Sequence, residues 1–154
     1  MHFFRLLGKL PIAVTSMAPF TARAGFVRAV LDAGCIVKLV GGGHYNGTAL
    51  RAKITEIQAK IPACAGITLL SLCTNFDQSS FQVPFWQEMR RECFPMWGFC
   101  VAAGIPPIEK TAGITEGPRN IGIKHISFAP GSVYDIRQVA SAAAANADFP
   151  MITQ

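Results

Sequence analysis

Three short stretches have the composition that lets a flat ligand lie against a protein backbone: Gly41-Gly42-Gly43, Gly104-Ile105-Pro106 and Pro130-Gly131-Ser132. Each follows an apolar run and is built of residues that bend the chain sharply and leave peptide groups bare to a planar partner. The same residues serve equally as plain turns between a strand and a helix, and spacing leaves both readings open. Gly41 and Gly43 fill the first two positions of the dinucleotide-binding pattern G-x-G-x-x-G, but Asn46 fails the third, and there is no Walker A sequence.

The other reactive side chains are dispersed. His44 follows the glycine run and could face a ligand, although a lone loop histidine is more often simply solvated. His125 stands inside an apolar run and reads as packed or hydrogen-bonded rather than catalytic. No His, Cys and Asp side chains share metal-ligand spacing, and no two carboxylates are paired for acid–base work. The 5 cysteines, Cys35, Cys64, Cys73, Cys93 and Cys100, form no C-x-x-C pair, and four lie in or near apolar segments. An odd count in that setting predicts buried thiols in a reducing compartment.

At 154 residues the chain has the size of one domain, and 51% hydrophobic against 15% charged residues supplies ample core. The net charge of +5 comes from basic residues scattered singly, apart from Arg90-Arg91, which argues against a nucleic-acid surface. The longest uncharged run, Cys93 to Ile108, is broken by Pro95, Gly98, Gly104, Pro106 and Pro107 and falls short of the roughly 20 apolar residues a span needs, so no transmembrane helix is expected. Arg5 interrupts the apolar N-terminus and no small-residue cleavage site follows, so no signal peptide is expected either and the chain is placed in the cytoplasm.

The elements that must position the three loops follow a repeating plan. Pro11 to Met17 reads as a buried strand that leaves through Ala18-Pro19-Phe20, and Thr21 caps a helix running to about Ala33 with Phe26, Val27, Val30 and Leu31 as its apolar stripe. Gly34 stands where a left-handed residue ends a helix, and Cys35 to Val40 is the second strand. Asn46 or Thr48 caps a helix in which Leu50, Ile54, Ile57 and Ile61 recur at helical spacing, with Pro62 as its stop. The third strand is Ile67 to Leu72. Residues Cys73 to Ser80 read as a polar loop before a helix with Phe85, Trp86, Met89 and Cys93 on one face.

Gly98 to Ala103 is the fourth strand, and the helix after it, Ile108 to Thr115, is weakened by Gly113 and cut off by Gly117-Pro118. Ile123 to Phe128 is the fifth strand, in which Ile123, His125 and Ser127 alternate with Lys124, Ile126 and Phe128. The Pro130-Gly131 turn follows, and Ser132 with Asp135 three residues on has the spacing of a capping box for a helix from Val133 to about Ala145. A sixth strand begins near Phe149. Strands that start every 24 to 32 residues, each followed by a helix, predict an α/β fold with a parallel sheet. The exit from the first strand lacks the glycines of a doubly wound dinucleotide domain, which leaves a partial (β/α)8 TIM barrel of about five βα units plus a sixth strand.

Three separated motifs carry a family resemblance: Pro11 to Pro19; Asp32-Ala33-Gly34 leading to Leu39-Val40-Gly41-Gly42-Gly43-His44-Tyr45-Asn46; and Gly122 to Ser132. In this order and at these intervals the sequence resembles the enoyl reductase domain of the fungal fatty acid synthase β subunit. The resemblance implies that residues 1–154 are the N-terminal part of an FMN-binding TIM barrel. That barrel reduces the trans-2 double bond of an acyl chain carried on acyl carrier protein, with NADPH supplying the hydride through FMN. It also implies flavin contacts at Met17, Ala18 and Pro19 and at Gly41, Gly42 and Gly43, with Gly104, Pro130, Gly131 and Ser132 as further cofactor-binding positions. The implied partners are the rest of a synthase chain and its acyl carrier protein.

The departures point the other way. Leu70 stands where the family pattern has Asn, Ala129 where it has Lys and Lys38 where it tends to have Glu, and the glycine- and histidine-rich segment and last two strands of the family lie beyond Gln154. The expectation is therefore a synthase fragment without stoichiometric FMN of its own, whose open sheet edges invite self-association. The alternative is a non-catalytic relic, or a structural or partner-binding piece of the synthase. A free-standing nucleotide-binding α/β protein is disfavoured by the first loop.

Overall fold

In the computed structural model, residues 5, 7–15, 23–40, 47–62, 65–72, 76–106, 116 and 119–154 are described, without the side chains of 40, 71–72 and 76–83. In chain order the elements are β1 (Ala13–Val14), α1 (Ala24–Asp32), β2 (Ile36–Val40), α2 (Gly47–Gln58), β3 (Ile67–Leu72), α3 (Phe76–Arg91), β4 (Met96–Ala102), β5 (His125–Phe128), α4 (Val133–Ala145) and β6 (Met151–Thr153). The strands form one six-stranded sheet in the order β1-β2-β3-β4-β5-β6, and every neighbouring pair is parallel. Residues Pro11 and Ala13 near β1 line the same cavity as Ile152, Thr153 and Gln154 at β6, so the sheet curls until its two edges face one another. The architecture is the predicted partial barrel.

Strand alternation divides this sheet into two faces. Val37, Leu39, Ile67, Leu69, Phe99, Ile126 and Phe128 look outward and share a buried core with Val27 and Leu31 of α1, Leu50, Ile54 and Ile57 of α2, Trp86 and Met89 of α3 and Val139 of α4. The indole of Trp86 stacks on Phe99 with ring centroids 4.8 Å apart. Ile36, Lys38, His125, Ser127 and Ile152 look the other way, into the lumen. The helices thus cover the convex face, as one apolar stripe per helix requires.

Helix ends follow local chemistry. After α1, Gly34 at φ +76° donates to Leu31 O at 3.0 Å while the Cys35 amide donates to Val30 O at 3.2 Å, the paired closure of a Schellman motif. At the start of α4, the Asp135 amide donates to Ser132 Oγ at 3.1 Å, as the capping spacing predicts. The Asp135 carboxylate reaches one residue further back than in a standard box and accepts from the Gly131 amide at 3.1 Å.

Several boundaries differ from expectation. α1 begins at Ala24 with Arg23 at its N-cap, where no side chain caps the helix, while Thr21 lies outside the described residues. Thr48 is inside α2 rather than capping it, and Asn46 is not described. Asp77 to Ser80 are helical rather than loop, because α3 starts at Phe76. Polar residues cost only tenths of a kcal/mol each in a helix, and the buried Trp86 and Met89 anchor the element.

Cys93 is not on the buried face of α3. It is exposed with φ +66° just past the helix, where its amide donates to Arg90 O at 3.1 Å and Phe94 donates to Met89 O at 3.1 Å. Cys93 thus plays the part that Gly34 plays after α1. Of the other thiols, Cys35 and Cys100 are buried as expected, whereas Cys64 and Cys73 lie outside the described residues. β4 begins two residues earlier than expected through a bulge: the register passes from Ile67↔Met96 to Thr68↔Gly98 and skips Trp97. The helix expected over 108–115 lies outside the described residues.

Candidate functional site

The parallel register assembles a polar layer across the lumen. Lys38 pairs with Thr68, Thr68 with Gly98 and Gly98 with His125, so four strands contribute one residue each at the same level. Lys38, Thr68, His125 and Ser127 are all buried, at 3%, 1%, 3% and 1% exposure, and form the whole buried polar set among the described residues. The hydroxyl of Thr68 lies 3.1 Å from His125 Nε2, bridging β3 and β5 across the bare α-carbon of Gly98. One residue layer further along, Ser127 Oγ donates to Phe99 O at 3.2 Å.

Below this layer the bulged Trp97 lies against Gly66, where an added Cβ would come within 1.9 Å of the indole. Lys124 Nζ lies over that ring, 3.4 Å from its centroid. Above it, a cavity of about 260 Å³ is lined by Pro11, Ala13 and Ile36 on one side and by His125, Ser127 and Ile152 on the other, with Lys38 between. Burial holds the His125 imidazolium well below the ordinary range, to about 4, and the nearby cations Lys38 and Lys124 push in the same direction. His125 is therefore a neutral imidazole at neutral pH. Its Nδ1 is buried without a partner among the described residues.

Of the positions singled out in the sequence, Gly104, Pro130, Gly131 and Ser132 lie just past the C-terminal ends of the adjacent strands β4 and β5. The structure thus brings two of the three loops to one end of the barrel. Gly104 has φ +124° and follows Ala103 at φ +58°, a pair of left-handed residues that turns the chain sharply. Met17, Ala18 and Pro19, with Gly41, Gly42, Gly43 and His44, lie outside the described residues.

The described loop residues do not by themselves suit a flavin phosphate. Such a group needs free backbone donors at a helix start, and here the Gly131 amide is held by Asp135 while the Ser132 hydroxyl caps α4. Leu70, paired with Cys100 on the lumen face of β3, and Ala129, after β5, offer no hydrogen bond to a ring edge.

His125 was legible in the sequence as a buried, hydrogen-bonded residue, and it is one. Lys38 and Thr68 as its companions were not, because only the register sets strand neighbours. The available signal was a lone lysine at an alternating position of an otherwise apolar strand, Ile36-Val37-Lys38-Leu39-Val40. Among the described residues, no group of three or more His, Cys, Asp or Glu side chains could hold a metal ion. No helix among them is long and apolar enough to cross a membrane.

No family model matches the chain. Among characterised proteins it is 44% identical over 150 residues to "Fatty acid synthase 2" of Mycosarcoma maydis, covering 97% of this chain and 4% of that protein. It is 35% identical over 150 residues to a fatty acid synthase beta subunit of Emericella nidulans, covering 97% of this chain and 8% of that protein. A fatty acid synthase subunit beta of Schizosaccharomyces pombe is 32% identical over 150 residues, again 97% of this chain and 7% of that protein. The chain therefore spans less than a tenth of these relatives' length, and it is a homologue of one short stretch of the fungal fatty acid synthase β subunits.

Proposed function

We propose that this chain is the N-terminal part of a fatty acid synthase enoyl reductase barrel and contributes its first six strands to a site that it does not complete alone. The observation that carries the reading is the match over 97% of the chain to synthase β subunits, combined with a curled parallel sheet of six strands in sequential order. The activity of the complete barrel is reduction of a trans-2-enoyl chain on acyl carrier protein, with NADPH as reductant and FMN as the bound carrier. The partners are accordingly the rest of a synthase chain and acyl carrier protein, and the site is cytoplasmic.

Within that reading the residues of this chain form the barrel wall. Met17 to Pro19 and Gly41 to Gly43 are the positions proposed to lie against the flavin ring, and Gly104 and Pro130 to Ser132 shape the adjacent rim. A second reading, a non-catalytic piece of the synthase, is favoured by Leu70 on the lumen face, by Ala129, and by the engagement of Gly131 and Ser132 within their own helix cap.

Grafting residues 1–154 in place of the matching stretch of the Mycosarcoma maydis synthase separates the two. Flavin retention and crotonyl-thioester-dependent NADPH oxidation by the assembled chimera support the barrel reading. An assembled chimera that retains its other synthase activities but lacks flavin and enoyl reduction establishes the non-catalytic one.

A further inference from the structure

We propose that a cavity at the N-terminal end of the barrel, bordered by Arg90 and Lys124, binds a phosphate monoester. It lies where β3, β4 and β5 begin, with Ala65, Pro95 and Lys124 just before those strands, and so at the opposite end of the barrel from Gly104 and Pro130. These three strands each have a neighbour on both sides, so the cavity is no part of the open β1 and β6 edges. The inference does not depend on the proposed synthase role.

Three observations carry it. First, Arg90 and Lys124 line the cavity and no acidic residue does. Neither side chain makes an ion pair among the described residues. Glu88 and Glu92, the carboxylates that flank Arg90 in sequence, are both taken by Arg51. Arg90 Nε is buried with no hydrogen-bond partner among the described residues, and a guanidinium keeps its charge and all its protons throughout the working pH range.

Second, the two cations are already placed. Lys124 Nζ is held over the Trp97 ring, and Arg90 reaches the start of β5, where a Cβ added at Gly122 would lie 3.3 Å from a terminal guanidinium nitrogen. The carbonyls that end α2 and α3 do not occupy them: Ile57 O accepts from the Lys60 and Ile61 amides, Met89 O from Phe94 and Arg90 O from Cys93. A guanidinium fork and an ammonium on one cavity match a phosphoryl dianion in charge, and a monocarboxylate would leave one of them unmatched.

Third, the space exceeds an inorganic ion. The cavity measures about 520 Å³, and Ile61, Pro62 and Pro95 give it an apolar wall. An organic group esterified to the phosphate covers that wall, which free phosphate leaves wet.

Cys93 is exposed and lines the same cavity, so its thiol reports occupancy. The test alkylates the full chain with N-ethylmaleimide, an uncharged reagent, at constant ionic strength, and follows Cys93 by peptide mass spectrometry, which separates it from the other cysteines. Phenyl phosphate should protect Cys93 saturably, with half-protection in the millimolar range. Benzoate, which keeps the ring but carries one charge, and inorganic phosphate, which lacks the ring, should each require about tenfold more. Lys124→Met and Arg90→Met should each raise the half-protecting concentration of phenyl phosphate about tenfold, whereas Arg28→Met, on an exposed face of α1, leaves it unchanged. Reading a concentration rather than a rate keeps any change in the thiol's own reactivity out of the comparison.

Absence of saturable protection in the unmodified chain overturns the proposal, and that arm decides alone should a variant fail to fold. Equal protection by benzoate or by inorganic phosphate, or an unchanged half-protecting concentration in folded Lys124→Met, overturns it as well.

Discussion

The imidazole of His125 lies across the bare α-carbon of Gly98, so close that a Cβ added at Gly98 would sit 2.2 Å from Nε2. Glycine at this position is what allows Thr68 on β3 and His125 on β5 to meet over the strand between them. Gly98→Ala should therefore destabilise the fold by about 1–3 kcal/mol through overpacking. The check is the urea midpoint at a fixed protein concentration; an unchanged midpoint would mean that the ring is free to move aside.

Stability should depend on pH through His125. Its folded value of about 4, set first by burial and then by Lys38 and Lys124, lies below the ordinary 6.5. The unfolded chain thus binds the proton first, and stability falls as pH drops from 6.5 toward 4. A shift of this size corresponds to roughly 3 kcal/mol at the acid end of the window. His125→Gln should flatten that part of the profile relative to the unmodified chain. Parallel profiles for the two proteins would contradict the assignment.

Cys93 occupies, at φ +66°, a helix-terminating position that glycine fills after α1. A side chain there is strained by roughly 1–2 kcal/mol, partly offset by the extra freedom glycine has when unfolded. Cys93→Gly should raise stability by up to about 1 kcal/mol, and because the thiol is exposed no core contact is lost. Lower thermal stability in this variant would be the contrary result.

Flavin should not co-purify with the 154-residue chain in stoichiometric amount, and the chain should not oxidise NADPH with a crotonyl thioester. Leu70→Asn with Ala129→Lys should not restore binding, because two ring contacts do not replace the charge-assisted donors a phosphate needs. The absorption spectrum after gel filtration decides the matter: a persistent flavin band refutes the prediction.

The sheet ends at β1 and β6, whose outer backbone groups face no further strand among the described residues, and Leu10 and Ile12 beside β1 are exposed at 42% and 52%. Such edges pair with other chains. Light scattering at micromolar concentration should report a dimer or larger species, and a strictly monomeric solution would argue against it.

What the sequence by itself determined is the order and kind of the elements. Leu50, Ile54 and Ile57 mark α2 through helical spacing, Ile67 to Leu72 marks β3 to the residue, and Ser132 with Asp135 marks the start of α4. These signals are local, since periodicity and capping act within a few residues of the chain. The family motifs are likewise strings of neighbouring residues, so the relationship to synthase β subunits was readable before any coordinates.

Only the tertiary structure decided which side chains share the lumen. Lys38, Thr68, Gly98 and His125 are up to 87 residues apart in sequence, and the parallel register alone places them in one layer. The bulge at Trp97 shifts that register by one residue, and a one-residue slip would carry a different set of side chains into the barrel. The extent of α3 was decided in the same way, by burial of Trp86 and Met89 against the sheet rather than by the helix preferences of Asp77 to Ser80. Burial then turned a lone histidine and a lone lysine, each unremarkable in the sequence, into a neutral imidazole and a buried cation, unpaired among the described residues, that line one cavity.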